Sequence, residues 1–303
     1  MSAFTTIKLG DAVTFQRGFD ITKAEQTFGE VPIVSSSGIS SYHNKAKSKG
    51  PGVIIGRKGT LGTVHLLKQA YWPHDTTLWV KDFKGNCPHF VFYFLRTLKL
   101  ENFDSGSSNP TLNRNHIQKI NVLFPTDPRT QRKIAAILTT YDDLIETNRR
   151  RIALLEKLAE ELYREWFVRL RFPGYQHTQF VKGVPAGWKI QQLQEVARIN
   201  PSSLSRNACP AFIRYVDIGA VTTNHIDPIE SIPFSEAPGR ARRCVAHGDI
   251  IWSSVRPANR AYCLIYEPPD DLIVSTGFAV IRPAKSMPFS FLNFAVTSNS
   301  FVD

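Results

Sequence analysis

The sequence predicts an α+β protein in which two similar globular lobes are joined by a long α-helix, itself one half of an antiparallel coiled coil. Three observations predict it. An apolar heptad runs unbroken through the middle of the chain, short β-branched and aromatic runs fill both flanks, and the two flanks repeat one another in order. The predicted divisions are residues 1–125 for the first lobe, 126–170 for the helix, 171–187 for a linker and 188–303 for the second lobe.

Whole-chain properties narrow the class. At 303 residues the chain has room for two modest cores, and an apolar fraction of 42% marks it as folded. The longest apolar run in its most hydrophobic region, Phe90 to Leu95, is far too short to span a bilayer, so no membrane role is expected. Met1-Ser2-Ala3-Phe4-Thr5 lacks a basic and then apolar leader, and Cys87, Cys209, Cys244 and Cys263 form no CxxC pair. A cytoplasmic protein with reduced thiols is the expectation. The net charge of +11 is unevenly spread. Residues 1–125 carry +7, residues 126–170 only +1, and residues 171–303 carry +3. Two basic lobes therefore flank a nearly neutral middle, a pattern open to nucleic acid, anionic membrane or acidic protein.

In the first lobe, Val53–Ile55 and Leu78–Val80 read as strands and Phe90 to Leu100 as a buried helix. Thr126-Asp127-Pro128 then signals a helix start, with a polar cap and a proline whose missing N–H does no harm. No glycine or proline follows until Pro173. Ile134, Leu138, Tyr141, Ile145, Asn148, Ile152, Leu155, Ala159, Leu162 and Trp166 follow one another at alternating spacings of four and three. That is a coiled-coil seam, and a helix of about 40 residues would be roughly 60 Å long. Asn148 in mid-seam is the kind of polar residue that fixes register. The competing reading is an amphipathic helix packed on its own domain. Ile137, Leu144, Leu154 and Leu158 widen the apolar stripe, and Arg149-Arg150-Arg151 is read as a solvated face, an acidic-partner face or a DNA contact.

In the second lobe, Ile250–Trp252 reads as a strand, and four segments match the first lobe in order. Leu9–Val13 matches Leu193–Ala197, and Gly52-Val53-Ile54-Ile55 matches Gly248-Asp249-Ile250-Ile251. Thr76–Val80 matches Thr276–Val280, and Phe90–Phe94 matches Phe289–Asn293. The first lobe continues through Pro110-Thr111-Leu112-Asn113 and Val122–Pro125 into the helix, whereas the sequence stops at Asp303 where the copy of that stretch is due. The second lobe is thus expected to be C-terminally incomplete and its helix, the natural antiparallel partner of the first, to be absent.

These features together resemble the specificity subunit of type I restriction–modification enzymes. The resemblance rests on Gly56-Arg57-Lys58-Gly59-Thr60-Leu61-Gly62-Thr63-Val64-His65, on Pro110–Asn113 leading to Val122–Pro125, on Gln131–Leu138 through Asp142–Ile145, and on Leu162-Tyr163-Arg164-Glu165-Trp166-Phe167. It implies two target-recognition domains that each read half of a bipartite site in double-stranded DNA, with the helical pair setting the gap between halves. It implies a non-catalytic chain whose partners are two methyltransferase (modification) subunits and restriction/translocase subunits. S-adenosylmethionine, ATP and magnesium are then expected on those partners, with no cofactor and no metal in this chain.

Candidate DNA contacts follow from residue chemistry. Lys45, Lys47 and Lys49 alternate in a loop and read equally as phosphate neutralisers or as a solvated loop. Arg57 and Lys58 lie among Gly56, Gly59 and Gly62, which is no P-loop because Gly-Lys-Ser/Thr is missing; a tight turn with its cations on phosphate fits. Arg240, Arg242, Arg243, Arg256 and Arg260 form the matching cluster of the second lobe, and Arg114, Asn115 and Arg256 are candidate base-edge readers. The histidines show no metal-ligand spacing, and Asp75 has no base or nucleophile motif beside it. An adenine methyltransferase would need Asn/Asp-Pro-Pro-aromatic to hold a flipped base. Asn200-Pro201-Ser202-Ser203 and Glu267-Pro268-Pro269-Asp270 do not supply it, nor is there a nuclease-type Glu-x-Lys after a metal-binding acid. The alternatives are a self-contained DNA-binding module dimerising through its helix, and an assembly scaffold that ignores DNA.

Overall fold

The computed structural model describes residues 4–103, 111–205 and 210–302. Ser105–Pro110 of the family-like turn, Cys209 and Asp303 lie outside the described residues. The chain divides into two units, Met1–Arg151 and Ile152–Asp303.

The first unit begins with β1 (Phe4–Lys8) and a short α1 (Leu9–Ala12), followed by β2 (Thr14–Arg17), β3 (Val31–Ser35), β4 (Gly38–His43), β5 (Gly52–Gly56), β6 (Val64–Leu67), β7 (Trp72–Pro73) and β8 (Thr77–Asp82). Then come α2 (Pro88–Thr97), α3 (Arg114–Ile117) and β9 (Asn121–Pro125). Strands β2-β8-β5-β6 form an antiparallel sheet, β4-β3-β7 a second sheet with β3 and β7 parallel, and β1 pairs with β9. β5, Gly-Val-Ile-Ile-Gly, is wholly buried because alternate side chains enter different cores. Val53 and Ile55 join Leu78, Val80 and the α2 residues Phe90, Val91 and Leu95. Ile54 points the other way, to Val34, Leu67, Tyr71 and Trp79.

The second unit carries β10 (Phe180–Val181), β11 (Val184–Pro185), α5 (Leu193–Val196), β12 (Ala197–Ile199), β13 (Phe212–Val216), β14 (Val221–Thr222), β15 (His225–Ile226) and β16 (Ser231–Pro233). β17 (Ala241–Cys244), β18 (Ile250–Ser253), β19 (Tyr262–Leu264), β20 (Leu272–Ser275), β21 (Phe278–Pro283), α6 (Phe289–Thr297) and α7 (Asn299–Val302) complete it. Its sheets run β12-β21-β18-β19 and β16-β13-β20-β17. The first repeats the antiparallel order β2-β8-β5-β6, and the β13–β20 pair repeats the parallel β3–β7 pair. The internal repeat is thus real in three dimensions.

Its register is corrected by the structure at both matched strands. Leu78 and Val80 face α2, whereas their sequence matches Phe278 and Val280 face the second sheet with Val216 and Val274. The sequence match set Ile54 against Ile250, but Ile250 packs towards α6 with Leu292 and Val296. Ile251 faces the second sheet with Val216 and Val274, as Ile54 does in its own unit. A slip of one residue reverses the face of every side chain in a strand, so burial, not residue identity, fixes the alignment.

The long helix, α4, runs Pro128–Tyr163. Its start is as predicted: Asp127 accepts hydrogen bonds from the Arg129 and Thr130 amides (3.1 and 3.0 Å) and the Thr130 hydroxyl (2.8 Å). Its last predicted stretch winds more widely, Arg164–Val168 forming a π-turn closed by the Arg169 amide on the Arg164 carbonyl. Gln131 and Ala135 are its buried residues.

Candidate nucleic-acid interface

In the first unit the cations gather where β2, β5 and the β7–β8 turn meet. Arg17, the last residue of β2, donates to Asp75 at 2.8 Å, and His74 Nδ1 lies 3.2 Å from the other Asp75 oxygen. Burial pushes the Asp75 carboxyl up, but the hydrogen bond and charge of Arg17, with His74 and Lys58, outweigh it and hold the group below the usual carboxylate range. The Asp75 charge is therefore already committed. Arg57 follows β5 on a backbone pinned by its own amide and that of Lys58, both donating to the Thr76 carbonyl. Its Nη1 is buried with no hydrogen-bond partner among the described residues. Burial first, then the neighbouring Arg17 charge, lower its pKa from the ordinary guanidinium value, with Asp75 opposing. A half-buried guanidinium without an acceptor is costly in a finished protein and suits an acceptor-rich ligand.

Other predicted residues of this unit fall around that centre. Lys58 is exposed and bridges to Thr111, and the Leu112 amide donates to the Arg57 carbonyl, which brings the start of α3 beside the Gly56–Gly62 turn. At that start Asn113 caps α3 by accepting from the Asn115 amide at 2.9 Å, leaving Arg114 and Asn115 exposed. Lys45, Lys47 and Lys49 are exposed. The Lys47 ammonium stands 4.8 Å from the Trp72 ring centre and 5.2 Å from that of Phe19. With Arg17 and Asp75 these residues line a recess of about 450 Å³.

The second unit places its cations at topologically matching positions. In the first unit Ser48, between Lys47 and Lys49, makes an antiparallel bridge to Tyr71; in the second, β17 pairs antiparallel with β20 and carries Arg242 and Arg243. Arg242 lies 5.1 Å from the Phe234 ring centre, and Arg243 Nε is buried without a hydrogen-bond partner among the described residues. Arg240 differs. It donates to the Tyr215 hydroxyl at 3.0 Å and pairs with Asp217, whose carboxyl is held down first by the Gly219 amide. Arg256 and Arg260 flank a single 3-10 turn at positive φ of 51° and 50°; Arg256 is exposed, and Arg260 donates to Asn299 at 2.7 Å. Asp249, fully buried, holds Arg282 through two hydrogen bonds of 2.7 and 2.6 Å, so that arginine is structural.

The ten seam residues are positioned by α4 and its closing turn. Ile134 packs on the first core and Ala159 is half-buried. Leu138, Tyr141, Ile145, Ile152, Leu155, Leu162 and Trp166 are exposed, with Asn148 exposed among them, and so are the flanking Ile137, Leu144, Leu154 and Leu158. The apolar stripe is therefore not consumed within either unit.

Sequence reasoning missed Arg17, Phe19 and Trp72, and left Asp75 unexplained. Arg17 and Asp75 are 58 residues apart, and only the β2–β8 pairing brings them together. Asp20, His74 and Asp75 hold ligand-type atoms within 4.8 Å of one another, equally invisible as a spacing, and Arg17 already binds one of the Asp75 oxygens. Cys87, Cys244 and Cys263 are free thiols, and burial lifts Cys263 to about 11. No described helix is long and apolar enough to cross a membrane.

A family model for the type I restriction modification DNA specificity domain matches residues 1–157. The specificity subunit of the type I restriction enzyme MjaIX from Methanocaldococcus jannaschii is 29% identical over 129 residues, 39% of this chain and 29% of that protein. The HindI specificity subunit from Haemophilus influenzae is 30% identical over 113 residues, 37% of this chain and 24% of that protein. These matches span less than a third of either relative. The crystal structure of a type I S subunit from M. genitalium superposes with a TM-score of 0.58 at 15% identity, covering 99% of this chain and 77% of that one, a likeness of fold.

Proposed function

This chain belongs to the type I restriction–modification DNA specificity family, and from that premise we propose that it is the non-catalytic DNA-reading subunit of such an enzyme, each unit reading one half of a bipartite target. The observation that carries the reading is Arg57: a half-buried guanidinium with an unpartnered nitrogen, beside exposed Lys58, while the Asp75 carboxylate that acts on it is already held by Arg17. Guanine N7 and O6, or a phosphate, supply the acceptors it lacks. Lys45, Lys47 and Lys49 then neutralise phosphate, as Arg242, Arg243 and Arg256 do for the second half-site.

The exposed stripe from Leu138 to Trp166 assembles the complex by pairing with another helix and presents the two methyltransferase subunits and the restriction subunits with a common scaffold. Methyl transfer and cleavage, with their S-adenosylmethionine, ATP and magnesium, belong to those partners.

The test is to co-express the chain with its modification subunits and map methylated adenines genome-wide. A two-part motif is expected, with Arg57→Ala relaxing one part and Arg256→Ala the other. A single continuous motif would overturn the two-reader proposal. A homodimer of the isolated chain that binds specific DNA unaided favours the self-contained module, and binding with no salt dependence favours a scaffold indifferent to DNA.

A further inference from the structure

The connection from β2 to β3 carries the most exposed aromatic residue of the described chain, Phe28, whose side chain is wholly in water at 101% relative exposure. An isolated exposed apolar residue is ordinary on a protein surface. What sets this one apart is that the backbone on both sides of it is pinned. The Thr27 amide donates to His43 Nδ1 at 3.0 Å, and His43 is itself buried, edge-on to Trp72 at 5.3 Å. On the other side Gly29 presses on the strand end: a Cβ there would stand 2.4 Å from Asn44 Cα and 2.4 Å from the His43 carbonyl oxygen, so only glycine fits. The first half of the loop is closed by Glu25, which accepts from the Thr22 amide and hydroxyl, both at 2.8 Å. The loop is thus held in place while its ring is held out.

The charge beside it says what the ring is for. Lys45 follows Asn44 directly, and Lys45 and Lys47 border one recess of about 440 Å³ with Asp20, Glu25, Thr27, His43 and Trp72. A projecting ring next to cations matches a ligand with an anionic backbone and flat apolar faces, which is nucleic acid. A protein partner would want a broader apolar surround, whereas the residues flanking Phe28 are Thr27, Gly29 and Glu30.

We infer that Phe28 is a stacking wedge that enters the base stack of duplex DNA beside the phosphates neutralised by Lys45 and Lys47. The inference rests on the first unit being a DNA reader and adds the contact by which it deforms its half-site.

The test uses the full chain assembled with its modification subunits and duplexes of the mapped target carrying 2-aminopurine at successive positions. The wild-type complex is expected to raise fluorescence at one base step. Phe28→Ala removes that signal and weakens binding on the order of 10-fold, while the slope of log affinity against log salt stays the same, since every phosphate remains neutralised. Phe28→Tyr keeps the signal. Lys45→Ala does the converse, keeping the fluorescence and making the slope shallower by about 0.9. Wild-type affinity and fluorescence in Phe28→Ala overturn the inference while the DNA reading stands. Loss of the modification subunits from Phe28→Ala assigns the ring to a protein contact instead. A wild-type complex that binds no DNA removes the reading and the wedge together.

Discussion

The side-chain oxygen of Gln131 accepts a hydrogen bond from the backbone amide of Cys87 at 2.9 Å. Its amide nitrogen donates to Asn86 Oδ1 at 2.6 Å and to the Pro125 carbonyl at 2.8 Å, and the residue is fully buried. One glutamine in the first turn of α4 therefore ties together the start of α2, the end of β9 and the helix. Tyr93 on α2 adds a second tie further along, donating to Asp142 at 2.8 Å.

Gln131→Leu keeps the volume and strands the Cys87 amide and the Pro125 carbonyl in the interior. Each unsatisfied buried group costs about 1–3 kcal/mol. The expected result is a loss of stability of about 2 kcal/mol or more with α4 still helical, read by circular dichroism and urea titration. An unchanged denaturant midpoint would show that water replaces the side chain at no cost.

Arg57→Ala is expected to cost about 1–3 kcal/mol of discrimination at one base position, without changing assembly. Arg57→Lys should not restore it, because an ammonium lacks the planar fork that engages two acceptors. Competition binding with single-base variants of the target measures this. Equal losses across all variants would make Arg57 a phosphate contact.

Asp75 gives a pH dependence whose sign is fixed by its surroundings. Its native pKa lies below the ordinary 3.8, so the Arg17–Asp75 pair contributes stability that is complete above the ordinary carboxylate range. That stability is lost as pH falls through the lowered native value. Asp75→Asn should flatten the acid limb of the stability–pH curve and leave Arg17 and Arg57 as two uncompensated neighbours, lowering stability near neutral pH. A variant whose acid limb matches wild type would mean the pair is screened out.

Replacing Lys45, Lys47 and Lys49 together by alanine should make the salt slope of DNA binding shallower by about 0.9 for each phosphate no longer neutralised. All three are exposed, so the stability of the chain should hold within about 0.5 kcal/mol. A full wild-type slope would return the loop to plain solvated surface.

Much of this was legible in the sequence because the signals were local or periodic. The cap at Asp127, the course of α4 and strands such as Val53–Ile55 depend on neighbours a few residues away. The strand register of the repeat was not legible, since Ile250 and Ile251 are the same residue type and only their packing tells the two faces apart. Nor was the sorting of the arginines. Arg17, Arg240 and Arg282 look as available as Arg57 in the sequence, yet Asp75, Asp217 and Asp249 hold them, through pairings 23 to 58 residues apart that only the sheets create.

The seam permits a cleaner test than a core substitution would. Leu155 is 64% exposed in the chain by itself, so Leu155→Asp removes little packing and should change stability by no more than about 0.5 kcal/mol. In an assembled helical pair the same carboxylate would sit in a dry interface, where an unpaired charge costs several kcal/mol. The expected outcome is a chain that melts like wild type and fails to assemble, measured by thermal denaturation of the free chain and by mass of the purified complex. Asn148→Leu should act in the opposite direction, since removing a polar seam residue strengthens association while relaxing its register and partner number. Normal assembly by Leu155→Asp would place the partner on another face of α4, leaving the exposed stripe with no role in the complex.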